Sequence, residues 1–386
     1  MKILKTLFAA ALVLAVSACN WAEQEIQDRN VVLMYISCHD NGLSQYSKRQ
    51  INEFKAGSDL PLTCDYRNIF LLYSHLDGQA PTLSRYSRTR SGEFLEEVIK
   101  TYPEDTRSVD AGQIRMVISD ASEAYPAEHN SLILSSHASS FLPARTKAAA
   151  APAVDDKDIC TSFGPDDDLD INIQDLRSAL SPFHFDFIMF DCCFMGSVEL
   201  CYELKDCTDY IIGSANEVMA DGMTRSSMIP FLFARGSRPD NLERACKSYM
   251  KHVAEDSGYF SSGMISLIKT SALPSLADAA RAIFSAHRLE IALLNTRNVQ
   301  SYRGLSNLGL YDLTDFVRHI SSESELQEFS SRMDEAVLFK DSTPYFLNYQ
   351  ITTHSGLSSY IPKPEKMSLN NFYKTLAWNQ ATGLVE

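Results

Sequence analysis

The chain predicts an α/β fold, with a mostly parallel central sheet flanked by helices, a helical C-terminal part and a late β-hairpin. Three observations carry this. Apolar runs without alternation occur at Val31 to Ser37, Asn68 to Ser74, Ser131 to Ser136, Phe187 to Phe190 and Tyr210 to Ser214, as expected of strands covered on both faces. Helix-spaced segments lie between them, which implies parallel strands joined by right-handed crossovers. Several runs deliver polar or nucleophilic residues at their carboxyl ends, the edge where open α/β sheets bind ligands.

Along the chain, Val31 to Ser37 is a buried strand that ends in the turn Asp40-Asn41-Gly42. Leu43 to Phe54 has helical spacing, Asn68 to Ser74 is a second strand, and Gly92 to Thr101 reads as a short helix after Arg-rich polar sequence. Ile114 to Ser119 fits a minor strand or part of a helix. Ser131 to Ser136 is a strand that delivers His137, and the Ala-, Pro- and Asp-rich stretch from Phe141 to Asp168 has no period and exceeds ordinary connection lengths. Leu176 to Leu180 starts a helix before the strand Phe187 to Phe190. Beyond residue 228 helical segments dominate, at Asn241 to Asp256, Leu273 to Leu294 and Leu313 to Ile320. Tyr345 to Thr353 and Leu357 to Ile361 are expected to pair as a hairpin around His354-Ser355-Gly356. The resulting division is a core over 30–228 and a packed C-terminal part over 229–386.

The chain has 386 residues, 45% hydrophobic and 22% charged, enough to bury a large core. Its net charge of −14 argues against nucleic-acid binding, which needs clustered Lys and Arg to neutralise phosphates. At the N-terminus, Lys2 and Lys5 precede an apolar run from Leu7 to Val16, and Val16-Ser17-Ala18 meets Cys19. This is the pattern of a signal peptide. It resembles a bacterial lipoprotein signal, which implies that residues 1–18 are removed, that Cys19 becomes the lipidated first residue, and that 19–29 is a polar tether. An ordinary signal peptide with a chance cysteine is the alternative. Removing Lys2 and Lys5 takes the net charge from −14 to −16. The expected location is therefore outside the cytoplasm, periplasmic or on the outer membrane or cell surface, held by the lipid. Eight further cysteines could form one or two disulfides, with Cys38 and Cys64 or Cys201 and Cys207 as candidate pairs.

The chemistry concentrates at two strand ends. Phe187-Ile188-Met189-Phe190 terminates on Asp191-Cys192-Cys193, and Ser131 to Ser136 terminates on His137. On neighbouring strands, an imidazole could deprotonate a thiol and later protonate an amine leaving group, giving acyl transfer through a thioester. A helix starting just after Cys193 would also favour the thiolate. Taken singly, a buried cysteine is usually core and a lone histidine a satisfied polar group. Their joint placement at successive strand ends marks them as an active-site candidate.

The stretches VVLMYISCHDNGLSQ, ILSSH, FDCCFMGSVELCYEL, GSANE and GLSSYIP together resemble the clostripain family of cysteine peptidases, within the caspase-like clan. The resemblance runs from about residue 30 to 362. It implies a caspase-like sheet and cleavage of peptide bonds through a Cys-His dyad. Asp191-Cys192-Cys193-Phe194-Met195 falls on the family's Asp-Ala-Cys-Leu-Met, which implies Cys193 as nucleophile and puts Cys192 at the alanine place. His137 matches the general base and acid. Asp191 matches the acidic residue of the primary specificity pocket, which implies preference for Arg or Lys before the scissile bond, and a carboxylate suits a guanidinium; helix N-capping is its alternative role. Ala138 replaces the family glycine after the histidine, and Ser136 replaces the asparagine before it. The amides of Ala138 and Cys193 are the implied oxyanion hole; alanine keeps the N–H but resists positive φ. Some relatives are matured by cleavage between histidine and cysteine, so Arg145 and Lys147 are candidate self-cleavage positions, against an inert loop. No metal or cofactor is required by these residues. Some relatives bind calcium, for which Asp166-Asp167-Asp168 is a candidate against a merely solvated acidic run. Two other readings compete with the peptidase: a catalytically weakened lipoprotein that binds proteins or peptides, motivated by the altered histidine motif, and another thiol acyl-transferase on a similar fold.

Overall fold

The computed structural model describes residues 29–39, 41–144, 163–166, 169–258, 261–302 and 309–386. Its strands, in chain order, are β1 (Asn30–Cys38), β2 (Asn68–Leu76), β3 (Thr82–Arg88), β4 (Phe94–Thr101), β5 (His129–Ser135), β6 (Phe163–Asp166), β7 (Leu169–Ile171), β8 (Phe185–Asp191), β9 (Thr208–Gly213), β10 (Met264–Lys269), β11 (Leu310–Asp312), β12 (Val337–Ser342), β13 (Tyr345–Phe346), β14 (Tyr349–Gln350) and β15 (Ser358–Tyr360). Nine of them form one sheet in the order β12-β10-β9-β8-β5-β1-β2-β3-β4. The five central strands, from β9 to β2, are parallel, and both flanks are antiparallel.

The unalternated apolar runs are explained by this position. Every residue of β1 is buried. Val31, Leu33 and Tyr35 join the core on one face of the sheet, while Val32, Met34 and Ile36 join the core on the other. Burying each such side chain stabilises the fold by about 1.5–3 kcal/mol, so a central strand can spare no polar alternation. The helices Ser44–Ala56 and Arg238–Glu255 lie over one face, and Ala111–Ala124, Ile173–Leu180 and Leu273–Ala286 over the other. The open choice at Ile114 to Ser119 resolves to helix, with Asp110 as N-cap accepting from the Gly112 and Gln113 amides.

Several expectations need correction. Gly92 to Thr101 is not a helix but edge strand β4, whose side chains are largely exposed. With only one neighbouring strand and little to cover it, Leu95, Val98 and Ile99 are not held to a two-residue period, and their spacing mimics a helix. The C-terminal part is not only helical: β10 and β12 extend the main sheet antiparallel to β9. Tyr345 to Thr353 does not pair with Leu357 to Ile361. The late hairpin is the small β13-β14 pair around Leu347 and Asn348, and β15 pairs with β11 instead. The seven described cysteines are free, so neither Cys38 with Cys64 nor Cys201 with Cys207 is bridged; Cys38 is buried at the end of β1 while Cys64 is exposed. Among the described residues, no helix is long and apolar enough to cross a membrane.

Candidate active site

The strand order puts β5 beside β1 and β8, so the ends of all three converge on one edge. The chain passes from β1 to β2 on one side and to β5 on the other, which makes this a topological switch point. A pocket of about 310 Å³ opens there, lined among others by His137, Asp191, Cys193, Glu217, Asp221 and Phe346. It brings together the histidine, the thiol and the carboxylate singled out in the sequence.

His137 is half-buried, and its Nε2 lies 2.8 Å from the backbone oxygen of Asn41. Because a carbonyl only accepts, Nε2 carries the proton and Nδ1 is left as the acceptor in the neutral ring. Burial lowers the histidine's pKa, opposed by the Asn41 bond. Asn41 is itself fixed: its Nδ2 donates to the Ser37 carbonyl (3.1 Å) and the Ser136 hydroxyl (3.4 Å), and its Oδ1 accepts from the Leu43 amide (3.1 Å). Ser136 adds a bond to the Ser37 carbonyl at 2.6 Å. The serine in the family's asparagine place therefore ties the end of β5 to the end of β1. In the sequence Asn41 read only as part of a turn; its place directly after a buried strand was the available signal.

Cys193 is also half-buried. Its sulfur accepts from the Val218 amide at 3.3 Å, and its S–H faces the Val218 carbonyl at 3.6 Å. Burial pushes the thiol up to about 12, the Val218 amide opposes this, and the charges of Glu217 and Asp191 add to it. The expected helix does not start directly after Cys193. It spans Val198–Glu203, with Ser197 as its N-cap, so its dipole does not bear on the sulfur. Burial thus favours the neutral form of both thiol and imidazole, and no hydrogen bond joins them.

Cys192 also borders the pocket, but its thiol is engaged elsewhere. Its side chain is buried, its S–H faces the Leu134 carbonyl at 3.1 Å, and burial holds its pKa well above the usual thiol value. Asp191, also buried, accepts from the Met223 amide, from the Thr224 amide at 3.0 Å and from Gln50 Nε2 at 2.9 Å. It caps no helix; it anchors the turn at residues 222–224 to the end of β8. Gly222 is at φ 83°, and a Cβ there would lie 3.1 Å from the Asp191 carboxylate and 2.7 Å from Gln50 Nε2. Among the described residues lining the pocket, Asp191, Glu217 and Asp221 are acidic and none is Lys or Arg. Arg225 stands behind that lining and pairs with Asp221 and, at 3.5 Å, with Glu53.

Ala138 is not among the residues with positive φ, so its backbone does not require glycine. Its bridge to Phe163 is made through the Gly164 amide and the His137 carbonyl (3.1 Å), which leaves the Ala138 N–H outside that ladder. Left-handed backbone occurs instead at Ser140 (φ 63°) and Phe194 (φ 61°), one in each loop. The two loops meet where Ser140 Oγ donates to Ser197 Oγ at 2.6 Å. Phe346 and Leu347, from the β13-β14 hairpin, complete the pocket wall; nothing in their sequence foretold this.

Cys19, Arg145, Lys147, Asp167 and Asp168 lie outside the described residues, as do the side-chain contacts of Asp166. Among the described residues, Asp221, His252 and Asp256 bring one ligand atom each within 4.8 Å of one another, but Asp221 is already paired with Arg225.

No curated protein matches the chain. Solved structures do. The inactive zymogen C11 protease from Parabacteroides distasonis is 26% identical, with a TM-score of 0.78, over 92% of this chain and 98% of that one. A secreted C11 cysteine protease from Bacteroides thetaiotaomicron, solved with an irreversible peptide inhibitor, is 27% identical, with a TM-score of 0.77 and the same two coverages. The family model for the clostripain family matches residues 34–376, nearly the whole described structure. With that match, and a sheet that is mostly parallel at its centre, the chain belongs to the clostripain family of cysteine peptidases.

Proposed function

We propose that this cysteine peptidase cleaves peptide bonds after Arg or Lys, with Cys193 as nucleophile and His137 as general base and acid. The observation that carries the reading is the single pocket holding both residues above an acidic base without a lining cation. A substrate's guanidinium or ammonium group is attracted by Asp191 and Glu217, Asp221 being paired with Arg225, and the free acceptor capacity of Asp191 suits a charge-assisted hydrogen bond. A Bacteroides thetaiotaomicron clostripain of related fold, 27% identical with a TM-score of 0.51, was solved with the peptide inhibitor BTN-VLTK-AOMK, whose peptide letters end in K.

In the resting state the thiol keeps its proton. As substrate enters, that proton passes from Cys193 Sγ to His137 Nδ1, while Nε2–H stays on the Asn41 carbonyl and steadies the imidazolium. The thiolate adds to the peptide carbonyl, and the oxyanion takes the amides of Ala138 and Cys193. The C–N bond breaks as His137 returns the proton to the leaving amine. Water then adds to the thioester, giving one proton to His137; the C–S bond breaks as His137 passes that proton to the sulfur, and the carboxylic acid product loses its own proton to solvent.

Around this chemistry, residues 30–228 act as the peptidase core and 229–386 as a part packed on it. Cleavage at Arg145 or Lys147 matures the chain, and a lipid on Cys19 holds it at a membrane outside the cytoplasm. Peptides ending in Arg, Lys or a neutral residue before a fluorogenic group test the specificity, with Cys193→Ala in parallel. Turnover of the basic peptides alone, lost in the variant, is expected; equal turnover of the neutral ones rejects it. Mass spectrometry of the same two preparations checks maturation. Wild type is expected in two pieces cut after residue 145 or 147, and an intact wild type rejects self-processing.

A further inference from the structure

Glu199 is a fully buried carboxylate that the mechanism above does not use. It sits in the helix Val198–Glu203, directly downstream of the Cys193 loop. Its Oε1 accepts three hydrogen bonds: from the Tyr360 amide at 2.8 Å, from Tyr373 Oη at 2.7 Å and from Ser359 Oγ at 3.1 Å. All three donors come from the C-terminal 359–373 segment. Burial raises its pKa, opposed by these donors.

The rest of the Cys193 loop is gripped in the same way. The Gly196 amide donates to the Ser214 carbonyl at 2.7 Å, and the Gly196 carbonyl accepts from the Ser358 amide at 3.0 Å. A Cβ on Gly196 would lie 2.6 Å from the Ala215 nitrogen, so no other residue fits between β9 and β15. Ser197 receives the hydroxyl of Ser140 from the histidine loop. Phe141, next to Ser140, packs edge-on against Tyr360 and Tyr373, the residues that bind Glu199. On the next turn of the helix Glu203 accepts from the Ala377 amide at 3.0 Å. The C-terminal segment thus touches the thiol loop and the histidine loop at once, and Glu199 is where its bonds converge.

We propose that Glu199 is a positioning residue: by clamping residues 359–373 to the helix after Cys193, it sets the sulfur's position relative to His137. The proposal rests on Cys193 and His137 being the reacting pair. Its effect is on geometry, so it is read in kcat and in the reactivity of Cys193, with KM for peptide little changed.

The test compares Glu199→Leu, Glu199→Gln and Tyr373→Phe in the full chain. Rates are counted per titrated active site, which removes any unfolded fraction. Alkylation of Cys193 by iodoacetamide, followed by peptide mapping, is measured beside turnover; it needs no assumption about substrate preference. A sulfur displaced by about 1 Å costs on the order of a hundredfold. Glu199→Leu is therefore expected to lower kcat by roughly ten- to a hundredfold, with KM within about twofold and a changed alkylation rate. Glu199→Gln keeps an oxygen for the same donors and is expected within about threefold of wild type. Tyr373→Phe keeps the ring on Phe141, loses one donor and should fall between. Wild-type turnover and alkylation in Glu199→Leu or, if that variant does not fold, in Tyr373→Phe overturn the proposal. So does a Glu199→Gln variant with altered alkylation and a rate tenfold or more below wild type, because the acceptor bonds would then not be what matters. Failure of wild type to cleave basic peptides would reject the specificity reading alone, and the alkylation comparison would still decide this one.

Discussion

The histidine loop and the cysteine loop leave neighbouring parallel strands, and each contains a non-glycine residue in the left-handed region, but they are held from opposite sides. Residues 136–137 are tied back to the end of β1 through Ser37 and Asn41. Residues 193–199 are tied forward to Ser214, Val218 and the C-terminal segment. The Ser140 to Ser197 bond is a direct link between the two. Such an arrangement teaches that the distance between imidazole and sulfur is set by two scaffolds, each correct only relative to the other.

The comparison breaks most sharply at the adjacent thiols. Cys193→Ala should abolish turnover, at least about a thousandfold, because no other group is placed to form the thioester. Cys192→Ala should leave the rate per active site within a few-fold and cost about 1–2 kcal/mol of stability by opening a small cavity. Loss of activity in the second with retention in the first would move the nucleophile. Next comes Asp191→Asn, which removes the charge and turns an amide toward backbone donors. We expect kcat/KM for Arg peptides to fall roughly a hundredfold, about 2–3 kcal/mol, with a much smaller change in thiol alkylation.

On the histidine side the effects are smaller. Asn41→Ala frees the carbonyl that orients His137, and a tenfold fall in kcat is expected, about 1.4 kcal/mol. The pH profile carries the same information. His137 must be neutral to take the thiol proton, and burial lowers its pKa from 6.5, so the acid limb of kcat/KM should lie below pH 6.5. An acid limb above that value would contradict the buried position. Ser140→Ala removes the bond between the loops while keeping the strained backbone; a loss of about 1 kcal/mol in stability and a few-fold in rate is expected from a thermal melt and a peptide assay.

The central strands and the three site residues on them were legible because burial on both faces leaves an unbroken apolar run, and a polar residue that ends such a run stands out. Where burial is partial the signal fades. Edge strand β4 carries exposed side chains and imitates a helix, and β12 alternates weakly at the opposite edge. Phe346 and Leu347 reach the pocket from residues remote in sequence, through a two-residue turn whose first residue, Leu347, has φ 52°, a conformation for which leucine carries no turn signature. Asn41 acts through its backbone carbonyl, and no side-chain pattern reports a carbonyl. Nothing in the sequence marks Glu199; only the fold reveals that solvent never reaches it.

Asp191 and Cys193 are borne by the same strand end, two positions apart, with Asp191 also anchoring the 222–224 turn. Substrate choice is therefore built into the same strand end that carries the attacking thiol, and a bulky replacement at position 191 would disturb the 222–224 turn as well as the charge. The β13-β14 hairpin is the more practical handle for engineers. It is pinned at its strands by Tyr349 to Ser301 at 2.8 Å and at its turn by the Leu347 amide to Ser262 Oγ at 2.8 Å, and Phe346 and Leu347 line the cleft. Libraries built on Phe346 and Leu347 vary the pocket wall from a segment remote in sequence from Cys193 and His137.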